Sequence, residues 1–184
     1  FGPDSWEVED ITLRTDRALA AFFSWLDEKV GAGNLLLALS SDHGVGPAPE
    51  ASAMRGVPAA RVDPAKILAA ASAALTARYG DPGAPWLEPQ GESRKLPGWV
   101  APWIYLNPTT LKAANAVPAE AEEVAAEAVR GVPGVAAVHT RRLLMAGGDA
   151  SNPASGAAAR SFHPLRSGDL TVQLRPYHVF KTDG

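Results

Sequence analysis

The sequence predicts an α/β fold: a sheet flanked by helices, with a smaller α+β insertion at its periphery. Three observations predict it. A long stretch with apolar residues at helical spacing leads within a few residues into an aliphatic run, "NLLLALSS". That run is too short and too uniformly apolar for a surface helix, and it reads as a strand buried on both faces, as in parallel sheets. An Ala- and Pro-rich middle then breaks the pattern, and "DLTVQLRP" near the end alternates apolar and polar residues.

The first element runs from about Asp4 to Val30. Asp4 or Ser5 can cap it, with Glu7 in the capping-box position, and Val8, Ile11, Leu19, Phe22, Leu26 and Val30 recur on one face. Gly31 and Gly33 end it, because glycine takes positive φ without steric cost. After the aliphatic strand and Gly46, "PAPEASAMRGVPAARV" reads as a loop or lid. Asp63 and Pro64 begin a second helix that Gly80 stops at about Tyr79. "DPGAPWLEPQGESRKLPG" is an irregular connection rich in breakers. "WVAPWIYLN", residues 99 to 107, reads as a strand that Pro102 demotes to an edge or a bulge.

Thr109 and Thr110 open a short helix in "NPTTLKAAN", and a longer one spans about Pro118 to Arg130, with Glu120, Glu122 and Glu123 near its positive N-terminal end. "GVAAVHT" is a short strand and "RRLLMAG" a short helix. "DLTVQLRP" at 169 to 176 reads as a half-exposed strand of an antiparallel pair or a sheet edge, which His178 follows. The order of elements places the insertion at about residues 47–165, on a parallel-sheet core.

Composition narrows the function. At 184 residues, 46% hydrophobic and 20% charged, the chain suits one globular domain. A formal charge of −3 argues against nucleic acid or an anionic membrane surface as partner. No apolar run reaches the length of a membrane span, so no membrane insertion is expected. The absence of cysteine excludes a thiolate nucleophile, a cysteine zinc site, an iron–sulfur cluster and disulfides. The chain opens "FGPDSWEVED" without an initiator Met or a signal pattern and closes just after a strand, so it is expected to be a piece of a longer protein.

The chemistry-bearing feature is "SSDHGVG" at the end of the aliphatic strand. In open α/β sheets ligands bind beyond the carboxyl ends of strands, and Asp42 and His43 stand there, after two small serines and before Gly44. A carboxylate oxygen and an imidazole nitrogen suit Zn²⁺, with Mn²⁺ or Fe²⁺ also admissible. A catalytic zinc needs about three protein ligands, so the pair is either part of a metal site completed from elsewhere or a solvated turn. The remaining histidines do not complete it locally. His139 reads as a surface or satisfied histidine and His163, before Pro164, as a structural one, while His178 is a somewhat better ligand candidate. No helical metal motif, P-loop, nucleophile elbow or dinucleotide fingerprint is present.

Taken together, Phe1 to Gly46, "FGPDSWEVED…DRALAAFFSWLDEKVGAGNLLLALSSDHGVG", resembles the alkaline phosphatase superfamily, in particular the periplasmic, zinc-dependent alkaline phosphatases related to type I phosphodiesterase/nucleotide pyrophosphatases. In that family a long helix leads into a buried strand ending in Asp-His-Gly, whose Asp and His bind one of two zinc ions. "SFHPLRSGDLTVQLRPYHVF" is similar to the family's segment before its final histidine ligand, and residues 50 to 150 match only loosely. The resemblance implies that residues 1–184 are the C-terminal part of one alkaline phosphatase-like catalytic domain, with Asp42 and His43 as metal ligands. It implies two Zn²⁺ per complete active site, a small phosphate ester as substrate and a periplasmic or secreted location. The family's other ligands would lie before Phe1 and after Gly184. Its Thr or Ser nucleophile has no counterpart here, since Thr109 and Thr110 do not match that motif. The function implied is hydrolysis of phosphate monoesters through a phosphoenzyme intermediate, with this piece inactive alone. The alternatives are a phosphodiesterase or nucleotide pyrophosphatase of the same superfamily, and a non-catalytic α/β binding module.

Overall fold

The computed structural model of the chain describes residues 2–88 and 96–182. It is α/β, with one parallel and one antiparallel sheet among helices, and it falls into two compact units, Phe1–Pro58 and Ala59–Gly184.

The first unit is dominated by α1 (Trp6–Val30), which starts where Ser5 Oγ accepts the Val8 N–H at 3.3 Å. Gly31 at φ 88° closes it, its N–H donating to the Asp27 carbonyl at 2.9 Å. No residue of α1 is buried; Phe22 and Trp25 stack on each other with centroids 6.1 Å apart. The predicted strand after it does not form. Leu35 has extended backbone, yet no described strand pairs with residues 35–41, and Leu36 and Leu39 are 97% and 86% exposed. A strand exists through the ladder of hydrogen bonds to its neighbour, and an aliphatic run without one stays extended and wet. Beyond it, the predicted loop contains a short helix, α2 (Pro49–Met54), with proline in its first turn.

The second unit carries the core. Its β1 (Ala60–Val62), also within the predicted loop, pairs in parallel with β6 (His178–Phe180), so His178 lies in the last strand and does not follow it. Parallel pairing among the described residues is confined to these two strands. Between them come α3 (Pro64–Tyr79), β2 (Trp99–Val100), β3 (Trp103–Ile104), α4 (Pro108–Ala113) and α5 (Pro118–Arg130). They are followed by β4 (Val135–Thr140), α6 (Arg141–Met145), α7 (Pro153–Ser161) and β5 (Leu170–Leu174). The second sheet has the order β2-β3-β5-β4 and is antiparallel throughout.

Two strand expectations are corrected here. Residues 99–107 hold a tight β2–β3 hairpin turning at Ala101–Pro102, because proline lacks the N–H that a continuous strand would need. The alternating segment 170–174 is an interior strand between β3 and β4, with Leu170, Thr171 and Val172 all buried. One of its polar side chains is partnered within the sheet: Gln173 Oε1 lies 3.3 Å from Nε2 of His139, the residue opposite Thr171.

Three helix starts in this unit follow one rule. Asp63, Asn107 and Asn152 each precede a proline and accept backbone N–H groups of the first turn, which caps α3, α4 and α7. Helices α3 and α5 pack on one another, and α5 packs on β4. Ala71, Ala121 and Ala125 are fully buried, as are Ile67, Leu75 and Val129. Small side chains on the helices let their axes approach closely. Gly134, at φ 93°, leads into β4; a Cβ there would come within 2.5 Å of Val62 Cγ2.

Candidate metal centre

Asp42 and His43 sit on an irregular segment after the unpaired aliphatic run, and short local hydrogen bonds give that segment its shape. Ser41 Oγ donates to the His43 carbonyl at 2.7 Å, and the His43 backbone N–H donates to Asp42 Oδ1 at 2.9 Å. The serines thus shape the turn. Both side chains of the pair are open to solvent, His43 73% and Asp42 85% exposed.

The imidazole is oriented by its own chain. His43 Nδ1 lies 2.9 Å from the Gly44 carbonyl oxygen, which can only accept, so Nδ1 carries the proton. His43 Nε2 faces Asp42 Oδ2 at 3.4 Å. In the neutral ring Nε2 bears a lone pair that faces the carboxylate, an arrangement in which both atoms can donate to one cation. The spacing fits a cation. Two ligand atoms at about 2.0–2.1 Å from a tetrahedral ion lie about 3.4 Å apart, and metal-bound histidines commonly donate their other N–H to a carbonyl. Asp42 and His43 therefore have the donor types, separation and tautomer that a zinc ion requires of two of its ligands.

No further ligand joins them: among the described residues no group of three or more His, Asp or Glu side chains could hold an ion. The other sequence candidates make local contacts of their own. His139 is buried and bonded to Gln173. His163 Nδ1 accepts the Leu165 N–H at 3.2 Å. His178 keeps Nδ1 2.9 Å from the Pro176 carbonyl. Thr110 is buried and donates to the Pro85 carbonyl at 2.7 Å, and Thr109 lies in the first turn that Asn107 caps.

Sequence reasoning also missed the burial of Glu122 in the second unit. A carboxylate in the second turn of a helix suggests a solvated residue near the helix dipole, but Glu122 is only 5% exposed. Burial, the largest effect, raises its pKa to about 7, against the lowering effect of the Arg142 backbone N–H. A signal was available: on α5, Glu122 follows Ala121 directly and precedes Ala125 and Ala126 by three and four residues, along the buried face.

Known proteins give the context. The profile of the family described as type I phosphodiesterase / nucleotide pyrophosphatase matches residues 1–180. Alkaline phosphatase PhoK of Sphingomonas sp. is 33% identical over 182 residues, covering 96% of this chain and 30% of that protein. Alkaline phosphatase PafA of Elizabethkingia meningoseptica is 66% identical over 44 residues, 24% of this chain and 8% of PafA. The crystal structure of wild-type PafA superposes with a TM-score of 0.72 at 24% identity, over 98% of this chain and 32% of that one, which establishes a shared fold. The chain spans less than a third of the length of these relatives. With a family profile matched from residue 1 to residue 180, the chain belongs to the type I phosphodiesterase / nucleotide pyrophosphatase family, within the alkaline phosphatase superfamily.

Proposed function

We propose that this chain supplies part of the active site of a two-zinc phosphohydrolase that cleaves phosphate monoesters through a phosphoenzyme intermediate, with Asp42 and His43 as ligands of one Zn²⁺. The observation that carries the reading is the 3.4 Å separation of Asp42 Oδ2 and His43 Nε2, with Nδ1 tied to a carbonyl, in a chain of this family. Bound zinc supplies Lewis-acid stabilisation of the charge on attacking and leaving oxygens. The chain's own residues prepare the place: the Gly44 carbonyl fixes the His43 tautomer, Ser41 holds the turn, and Asp42 contributes the compensating negative charge.

The same reading makes residues 1–184 the C-terminal part of one catalytic domain with an insertion at about 47–165, and the greater length of the relatives supports it. The nucleophile and remaining ligands then belong to the rest of that domain, and the chain alone is inactive. Its substrate is a small phosphate ester and its location periplasmic or secreted. No described helix is long and apolar enough to cross a membrane. A second reading, a phosphodiesterase or nucleotide pyrophosphatase, is supported by the description of the matched family itself.

The deciding experiment uses the full-length protein. Asp42→Ala and His43→Ala should each remove most turnover of p-nitrophenyl phosphate and lower the zinc bound per chain. Unchanged turnover and zinc content in either variant would return the pair to a solvated turn, as in a non-catalytic binding module. Faster cleavage of bis-p-nitrophenyl phosphate than of the monoester would favour the phosphodiesterase.

A further inference from the structure

Asp42 and His43 are neighbours in the chain, so the separation of Oδ2 and Nε2 is set by the backbone of these two residues and by two side-chain rotamers. Packing restrains neither. Residues 40–44 are all exposed and lie outside every described helix and strand. The restraint comes from three hydrogen bonds. The His43 N–H donates to Asp42 Oδ1 at 2.9 Å, which holds the carboxylate with Oδ2 toward the ring. The Gly44 carbonyl, 2.9 Å from Nδ1, orients the imidazole. Ser41 Oγ donates to the His43 carbonyl at 2.7 Å, reaching past Asp42 and tying together the main chain on its two sides. Of the three, this bond is the shortest, and it alone is made by a side chain that is not itself a proposed ligand.

We propose that Ser41 is a positioning residue of the metal centre: its hydroxyl clasps the main chain around Asp42 and thereby sets how tightly the pair retains Zn²⁺. The inference rests on the zinc reading and adds to it a residue that acts through the backbone of the two ligands.

The physical reason is preorganisation. An exposed Asp-His pair without the clasp spreads over several backbone and rotamer states, and that freedom must be given up each time an ion binds. A chain already held in the bound arrangement gives up less, so the ion is held more tightly. Ser40 supplies an internal comparison. Its hydroxyl donates to the Ser41 carbonyl at 3.2 Å, on the upstream side of both ligands, and leaves the main chain around Asp42 untouched.

The test measures the zinc affinity of the full-length protein and its variants by competition with a chromophoric chelator. Loss of a partner that supports a metal ligand typically weakens binding about 10–100-fold, and Ser41→Ala should fall near the lower end, about tenfold. Ser41→Thr keeps the hydroxyl and, on an exposed segment, has space for its methyl group, so it should recover affinity to within about twofold of the wild type. Ser40→Ala should bind zinc as the wild type does. The zinc-free denaturant midpoint of Ser41→Ala should be unchanged, because the bond lies on the surface.

Unaltered zinc affinity in Ser41→Ala, a loss that Ser41→Thr does not recover, or an equal loss in Ser40→Ala would each overturn the proposal. So would a lowered zinc-free midpoint in Ser41→Ala, which would make the hydroxyl a support of the fold. His43→Ala separates this inference from the reading beneath it. Wild-type zinc affinity in His43→Ala would remove the zinc reading itself, whereas zinc lost there but kept in Ser41→Ala would remove only the role given to Ser41.

Discussion

His43 presents Nε2 to Asp42 Oδ2 at 3.4 Å while the Gly44 carbonyl, 2.9 Å from Nδ1, fixes which nitrogen carries the ring proton. The pair is thus arranged as the proposed zinc site requires, and the first expected outcome follows. Chelation of the full-length protein should abolish phosphatase turnover, and added zinc should restore the wild type but not His43→Ala. Full restoration in the variant would place the ion elsewhere.

Glu122 makes stability depend on pH. Its ordinary pKa is 4.5 and burial raises it to about 7, so the folded chain holds this proton more tightly than the unfolded one. The contribution is fully present below pH 4.5 and is lost as pH rises through about 7. The loss is at most about 3 kcal/mol. Asp169, also raised mainly by burial, acts in the same direction. Glu122→Gln should therefore raise the denaturant midpoint at pH 8 and change it little at pH 4.5. A variant less stable than wild type at pH 8 would show that the ionised carboxylate is a net stabiliser.

At Gly134 two effects oppose a side chain: φ of 93°, and a Cβ position 2.5 Å from Val62 Cγ2 and 3.0 Å from His178 Cδ2. Gly134→Ala should cost about 2–4 kcal/mol from the left-handed backbone and the overpacking combined. Chemical denaturation measures it; a loss below about 0.5 kcal/mol would mean that β1 and β6 shift freely.

Asn107 caps α4 through one oxygen, which accepts from Thr109 N at 3.0 Å and Thr110 N at 3.3 Å. Asn107→Ala should destabilise by about 1 kcal/mol, and Asn107→Asp should recover most of it. Equal losses in the two variants would assign the role of Asn107 to something other than the cap.

The second unit was largely legible in the sequence, for local reasons. Asp63-Pro64 with Gly80 marked α3 to the residue, and the acidic start of 118–130 marked α5. Asn152-Pro153 carried the same start signal for α7, but its alanine-rich body, with only Ser155 buried, has no apolar stripe to display a helical period. The strand errors are non-local. Whether 170–174 lies at an edge or inside is decided by β3 and β4 on either side, and whether 35–41 becomes a strand is decided by a neighbour no described residue supplies. At the candidate site, residue type and place single out Asp42 and His43 in the sequence, while the tautomer is read only from the Gly44 carbonyl contact.

Leu36 and Leu39 leave an extended aliphatic run in water, which is a template for pairing with other chains. Expressed alone, the 184-residue chain should aggregate, and Leu36→Lys with Leu39→Lys should reduce light scattering at equal concentration. A monodisperse wild-type chain that unfolds cooperatively would contradict this.

Strands β1 and β6 open and close the second unit side by side and in the same direction, each three residues long. Three residues of strand span about 10 Å, so the polypeptide arrives and departs at almost one point. The stretches of chain at the two ends of this unit are thereby tied to each other by main-chain hydrogen bonds, so a slip of one by a residue must move the other.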